Sequence, residues 1–359
     1  MRSERSGYSV GLLAACLFGA SAPFSKLLLD SVDPQLLAGL LYLGAFVAVT
    51  PFVATRPRRR EAALKRSDLP RLAAIVLTGG VVAPVLLMIG LERVSGVAGS
   101  LLLNLEGPLT LVVGVVVMHE YLGRRAAFGT VAIFGGSALI GLRGTDGTVE
   151  GLGVLLIGLA CLGWALDNNL TQSISGRDPF QIVALKTGVA AAVNIGLALM
   201  RGESGASWGV VGGALALGAL AYGISILLDA YALRLLGAAR EAAIFATAPF
   251  AGALVAIPLL GESWSSPDLL AAAAMGVGVA LLIADRHDHL HAHEAFDHEH
   301  RHVHDTHHDH PHDAGFGAME PHSHPHRHRR LVHSHPHVSD SHHRHDHDHD
   351  HDHDGFDDA

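Results

Sequence analysis

Residues 96–120 read GVAGSLLLNLEGPLTLVVGVVVMHE, and residues 237–262 read GAAREAAIFATAPFAGALVAIPLLGE. Both open on glycine, place a proline twelve residues later and close on glutamate, so Gly96, Pro108 and Glu120 answer Gly237, Pro249 and Glu262. The last interval differs by one, 13 residues from Pro249 to Glu262 against 12 from Pro108 to Glu120. Upstream, Asp33-Pro34 and Asp178-Pro179 stand 145 residues apart, close to the 141 that separate the two prolines. The chain therefore reads as two related halves. Duplicated long apolar segments are what secondary transporters show when two repeats enclose a site near the bilayer midplane. Transport is the first function to expect.

Charge divides the 359 residues sharply. Of 27 histidines, 26 lie from His287 onward and only His119 precedes them. Residues 1–286 hold 20 Lys+Arg and 18 Asp+Glu, net +2; residues 287–359 hold 5 and 16, net −11; together these recover the net −9 of the chain. The first region is Leu, Ala, Val, Gly and Ile in runs near the roughly 20 residues that cross a hydrocarbon core as a helix. Its two cysteines, Cys16 and Cys161, fall inside such runs and support neither a disulfide framework nor a cysteine zinc site.

The fold expected is an all-α integral membrane protein of ten helices, followed by a disordered tail. Apolar runs between charged or Gly/Pro-rich breaks place the spans at 7–29, 34–55, 69–91, 97–118, 125–142, 150–174, 180–200, 207–228, 238–260 and 267–284. The domains expected are two five-helix repeats, 7–142 and 150–284, and the tail 287–359. With the N-terminus in the cytoplasm, 15 Lys/Arg fall inside and only Lys26, Arg93, Arg143 and Arg201 outside, a positive-inside pattern. Both termini are then cytoplasmic, the repeats are inverted relative to one another, and the location is a bacterial inner membrane. Arg2 and Arg5 ahead of Ala20-Ser21-Ala22 imitate a cleaved signal, and Leu13-Ala14-Ala15-Cys16 a lipoprotein box. The apolar run passes Cys16 to Leu29 and Pro23 follows the triplet, so an uncleaved helix is expected.

Residues 7–284 resemble the EamA family of the drug/metabolite transporter superfamily. The resemblance rests on Phe18-Gly19 and Gly163-Trp164 in the opening helix of each half and on the paired Pro108/Glu120 and Pro249/Glu262 landmarks. It implies export or uptake of amino acids, metabolites, nucleotide-sugar-like solutes or toxic compounds, often proton-linked, and does not identify one substrate. The partners expected are a small-molecule solute and the lipid bilayer, with a homodimer left open and no nucleic acid.

An ionisable group in mid-bilayer costs about 2.5–3.5 kcal/mol on insertion scales, so those that persist there are functional candidates. Glu106 lies about ten residues into the fourth span, beside Asn104 and two before Pro108, whose missing N–H opens the helix. It reads either as a proton-coupling or amine-binding carboxylate, or as a neutral carboxyl bonding between helices. A second cluster has Trp164, Asp167, Asn168, Asn169, Thr171 and Gln172 in the sixth span and Lys186 in the seventh. Asp167 and Lys186 share a depth and form a candidate ion pair, either structural or a gate. Lys26, Asp229, Arg240 and Glu241 sit near span ends, where snorkelling is the simpler account. Glu120 and Glu262 read as structural. Gly135, Gly136, Gly276 and Gly278 are expected to permit close helix packing.

From His287 the chain alternates His with Asp, Pro, Ser or Ala, a low-complexity composition that cannot form a core. His287, His289, His291 and His293, and His345, His347, His349, His351 and His353, are spaced so that neighbouring imidazoles of an extended chain face the same way. Neutral imidazole suits zinc, nickel, cobalt and copper. No cofactor is required, and these ions are expected only on the tail, which could buffer, sense or deliver metal, or bind it adventitiously. Imidazoles titrating near 6.5 also make it a candidate pH sensor. No phosphate-binding loop, nucleophile elbow or zinc-protease motif occurs, so an enzyme is disfavoured. The reading is a secondary transporter with a metal-binding tail. Its alternatives are a divalent-metal transporter whose tail collects or senses the ion, and a non-transporting membrane metal sensor.

Overall fold

The computed structural model describes residues 2–55, 62–118, 122–142, 148–203, 206–284, 290–293, 297–302, 322–327 and 331–334. Among these, nine helices are long and apolar enough to cross a membrane: α1 (Ser6–Leu29), α2 (Pro34–Thr55), α3 (Arg66–Leu91), α4 (Gly96–Val117), α6 (Glu150–Gln172), α7 (Pro179–Met200), α8 (Trp208–Leu233), α9 (Arg240–Leu260) and α10 (Ser266–Ala284). Between α4 and α6 lies α5 (Arg124–Gly141), whose 18 residues begin with two arginines, leaving it shorter in apolar length than the others. Lipid offers no hydrogen bonds to a backbone, so a chain of such spans must close its amides within helices. The outer surface is apolar: Phe128 is 69% and Val131 67% exposed on α5, a face suited to acyl chains rather than water. The chain is a multi-pass membrane protein.

The two sequence halves interlock rather than stand apart. Helix α1 packs on α8 and α9, α2 on α7 and α8, α3 on α6 and α7, α4 on α6 and α9, and α5 on α10. Missing side chains allow this approach. A Cβ on Gly19 would lie 2.0 Å from the Ala248 carbonyl oxygen, and one on Gly252 2.4 Å from that of Gly19. Gly136 and Gly278 line the α5–α10 contact in the same way. Gly135 and Gly276, expected to do likewise, point instead into space with nothing within 4 Å of an added Cβ, because they are one and two residues out of phase with that face.

The duplication has local structural counterparts. Asp33 Oδ1 accepts from the amide of Gln35 at 2.8 Å and Asp178 Oδ1 from that of Phe180 at 2.9 Å, so each Asp-Pro starts a helix with a side-chain cap and a proline that needs no donor. The third helix of each half widens into π turns, Val76–Val82 in α3 and Ala219–Ile224 in α8. The fourth is interrupted in each half, at the 3-10 turn Leu103–Leu105 in α4 and between Phe245 and Ala248 in α9.

Beyond α10, the described residues of the tail are four short strands. Leu290–His293 pairs antiparallel with Leu331–Ser334, and Asp297–His302 with His322–Arg327, with Leu290 opposite Ser334 and Asp297 opposite Arg327. Alternating His and polar residues match the two-residue period of a strand, although isolated two-stranded pairs are marginal in water.

Candidate functional site

Pro108 carries no amide hydrogen for the carbonyl of Asn104, four residues earlier. The turn ahead of it tightens into the 3-10 segment, and regular helix resumes at Glu106. Asn168 Nδ2 on α6 donates to Glu106 Oε1 at 2.9 Å and reaches Thr110 Oγ1 at 3.4 Å. Asn169 Nδ2 donates to the carbonyl of Thr110 at 3.0 Å. Glu106 is half-buried while Asn168 and Gly107 are exposed, and an added Cβ on Gly107 would meet nothing within 4 Å. The carboxyl therefore borders open space on one side and α6 on the other.

Asp167 is only 2% exposed, and its Oδ2 is ion-paired with Lys186 Nζ of α7. Thr171 Oγ1 donates to Oδ1 at 3.1 Å. Asp167 and Lys186 both lie within electrostatic range of Glu106, so the two candidate clusters form one centre. Its fourth wall is the π segment of α3. The Gly79 carbonyl accepts from Tyr42 Oη at 2.7 Å and from Trp164 Nε1 at 3.0 Å, and the Asp167 carboxylate occupies the place a Gly79 side chain would take. Tyr42 in turn stacks on Tyr222 of the second π segment, centroids 6.1 Å apart and planes 21° from parallel. Both π segments thus meet at the centre.

A polar strut supports this wall. Asn194 Nδ2 donates to the Gly80 carbonyl at 3.1 Å, Gln35 Nε2 to Asn194 Oδ1 at 3.2 Å, and Arg201 Nη1 to Gln35 Oε1 at 2.6 Å. Near one end of the bundle, Arg177 Nε meets Asp68 Oδ2 at 2.8 Å and the Asp178 amide donates to the Ala62 carbonyl at 2.8 Å, tying the α2–α3 linker and the first turn of α3 to the α6–α7 turn.

Of the residues singled out from sequence, Glu106, Trp164, Asp167, Asn168 and Lys186 converge, with Pro108 buried beneath them. Asn104 does not: it donates to the Leu101 carbonyl at 3.0 Å and faces Met275 of α10, because the 3-10 turn rotates it away from Glu106. Tyr42, Gly79, Thr110 and Tyr222 had not been singled out. The one sequence signal for Gly79 is the mid-span pair Gly79-Gly80. Glu262 is a helix cap, accepting from the amides of Gly96 at 2.6 Å and Val97 at 2.9 Å. Lys26 does not simply reach for water, since its Nζ donates to the Leu91 carbonyl at 2.7 Å. Glu241 departs from the snorkelling expectation too, being 8% exposed. Glu120, His119, His287, His289, His345, His347, His349, His351 and His353 lie outside the described residues; His291 and His293 lie in the strand Leu290–His293.

The centre combines a carboxyl with an open side, an ion pair that a charged solute could enter, and aromatic rings for an apolar body. The profile of the EamA-like transporter family matches residues 5–142 and 151–284. An uncharacterized transporter of Methanothermobacter thermautotrophicus is 29% identical over 276 residues, covering 72% of this chain and 80% of that protein. A solved structure described only as the crystal structure of a protein shares 16% identity, covers 79% of this chain and 99% of its own, and superposes with a TM-score of 0.55, a likeness of fold.

Proposed function

Because this chain belongs to the EamA-like transporter family, we propose that it is a secondary transporter moving a small metabolite, amino acid or toxic compound by alternating access. Its ten helices act as two inverted five-helix repeats, 7–142 and 150–284, in the cytoplasmic membrane with both termini in the cytoplasm. The segment 287–359 is a cytosolic appendage that binds zinc, nickel, cobalt or copper.

The observation that carries this reading is the convergence of Glu106, Asn168, Asp167, Lys186, Trp164 and Tyr42 where helices of both halves meet. An organic solute bearing both amine and carboxylate suits it: Glu106 attracts the amine, Lys186 the carboxylate, and Trp164 and Tyr42 border the remainder. The divalent-metal alternative is less well served, because the Lys186 ammonium already occupies Asp167 and repels a dication. The sensor alternative makes no use of the centre.

The test is uptake and efflux of labelled amino acids, and accumulation of zinc, nickel and cobalt, in cells expressing the full chain, a version ending at Arg286, and Glu106→Gln. Organic solute flux lost in Glu106→Gln at normal membrane abundance is the expected result. Metal flux that depends on Glu106 and on the tail would favour the metal transporter, and absence of all flux the sensor.

A further inference from the structure

Strands Asp297–His302 and His322–Arg327 pair antiparallel with His298 opposite His326, His300 opposite His324 and His302 opposite His322. Alternate residues of a strand share a face, and residues directly opposite in a ladder share it too. The register therefore gathers six histidines on one face, in three opposite pairs. The other face holds no histidine: it takes Asp297, Glu299 and Arg301 from one strand and Ser323, Pro325 and Arg327 from the other. Pro325 has no amide hydrogen to give. Its pairing with Glu299 suits a non-hydrogen-bonded position, which leaves the histidine pairs at hydrogen-bonded positions, with Cα atoms about 5.5 Å apart. Successive pairs follow at two-residue steps, roughly 6.7 Å along the strand.

The register continues beyond this ladder. Seven positions separate Leu290 from Asp297 and seven separate Arg327 from Ser334, so the Leu290–His293/Leu331–Ser334 ladder is in phase with it and the four strands form one interrupted hairpin. Little in its composition would hold it together. Within Asp297–His302 and His322–Arg327, every residue but Pro325 has a polar side chain. A two-stranded pair is marginal in water even with an apolar face, and bringing its ends together across the 19 residues 303–321 costs further entropy. The pairing calls for a fastener between the strands.

An ion ligated from both strands is such a fastener. Neutral imidazole suits zinc, nickel, cobalt and copper, and a zinc ion needs its nitrogens at about 2.0–2.1 Å in a set of four ligands. One opposite pair supplies two imidazoles, one from each strand, and the adjoining pair supplies the third and fourth. We propose that the six-histidine face formed by His298, His300, His302, His322, His324 and His326 is the tail's tightest site for a divalent transition-metal ion, and that the ion closes the hairpin. Ligation and strand pairing then form one equilibrium, because the ion stabilises only the paired state and the pairing alone is marginal. The site rests on the reading of residues 287–359 as a metal-binding appendage and locates that function away from the His345–His353 run.

The full chain in lipid nanodiscs, stripped of metal and titrated with zinc alone against a chelating dye, tests the site. Trypsin cleavage supplies a second readout: Arg301 and Arg327 lie in the paired strands, and Arg344, beyond them, reports any effect of zinc on the protease itself. Two variants are compared with the wild type, one carrying His298→Gln, His300→Gln and His302→Gln, the other His345→Gln, His347→Gln, His349→Gln, His351→Gln and His353→Gln. All these substitutions lie outside the membrane spans. The expected result is that zinc slows cleavage at Arg301 and Arg327 relative to Arg344, that the first variant loses both this protection and the tightest-held zinc, and that the second keeps both. Undiminished protection and tight zinc in the first variant, or their loss in the second alone, overturns the ladder site and leaves the metal-binding reading of the tail standing. No zinc held by the wild type against the dye overturns both.

Discussion

A Cβ on Gly79 would stand 2.0 Å from Oδ2 of Asp167. The carboxylate that pairs with Lys186 thus fills the volume of an absent side chain, and the carbonyl of the same glycine is held by Tyr42 and Trp164. Gly79→Ala should displace Asp167 and lose transport while retaining membrane insertion. Overpacking of this kind costs about 1–3 kcal/mol, readable as a lower Tm in detergent. An unchanged Tm and rate would show that the ion pair does not depend on that space.

Lys186→Met leaves Asp167 buried without its partner. Removing one member of a buried pair costs about 3–5 kcal/mol, so this variant should be strongly destabilised. Asp167→Asn combined with Lys186→Met should recover most of the loss. A double-mutant cycle on Tm or on unfolding free energy measures the coupling, and additive effects would refute the pairing.

Glu262→Ala removes the acceptor for two amides at the start of α4. Loss of a helix cap costs about 0.5–2 kcal/mol, and the carboxylate also favours the positive end of the helix dipole. The expected outcome is a modest fall in Tm with transport retained, which separates this glutamate from Glu106.

Glu203, in the linker between α7 and α8, has its carboxyl held above its ordinary range, first by burial and then by hydrogen bonding and charge from Asp33. A raised folded-state value means that the folded chain binds more protons than the unfolded one, so stability falls as pH rises from the unfolded value through the folded one. Glu203→Gln should remove that slope. Its Tm, relative to wild type, should improve as pH is raised from acidic to neutral, and parallel pH curves for the two proteins would contradict the assignment.

The spans were legible because lipid forces apolar composition and helical closure together, and Asp167 with Lys186 was legible because antiparallel helices place equal depths side by side. Glu106 was marked by its neighbours Asn104 and Pro108 only in part: the proline signals the helix break, but not that the turn before it would rotate Asn104 away toward Met275. Gly79 was invisible as a site residue, since what it contributes is a carbonyl freed by a π turn and an empty volume, neither of which is a side-chain chemistry. Glu241 was misjudged from its position near a span end. It lies just past the corner at Gly237, φ +80°, and is buried there, which depends on a backbone angle rather than on hydropathy.

A π turn is wound wider than an α turn and so stores one residue more than the helix needs for its length. The third helix of each half carries such a surplus at matching positions. Moving it one turn along would rotate the intervening residues by about 100° about the axis without breaking the helix or shortening it. In α3 that rotation would take the Gly79 carbonyl from Tyr42 and Trp164 and lift its backbone off Asp167; in α8 it would carry Tyr222 away from Tyr42. The centre thus rests on two slack loops of winding, each able to migrate like a wrinkle in a carpet.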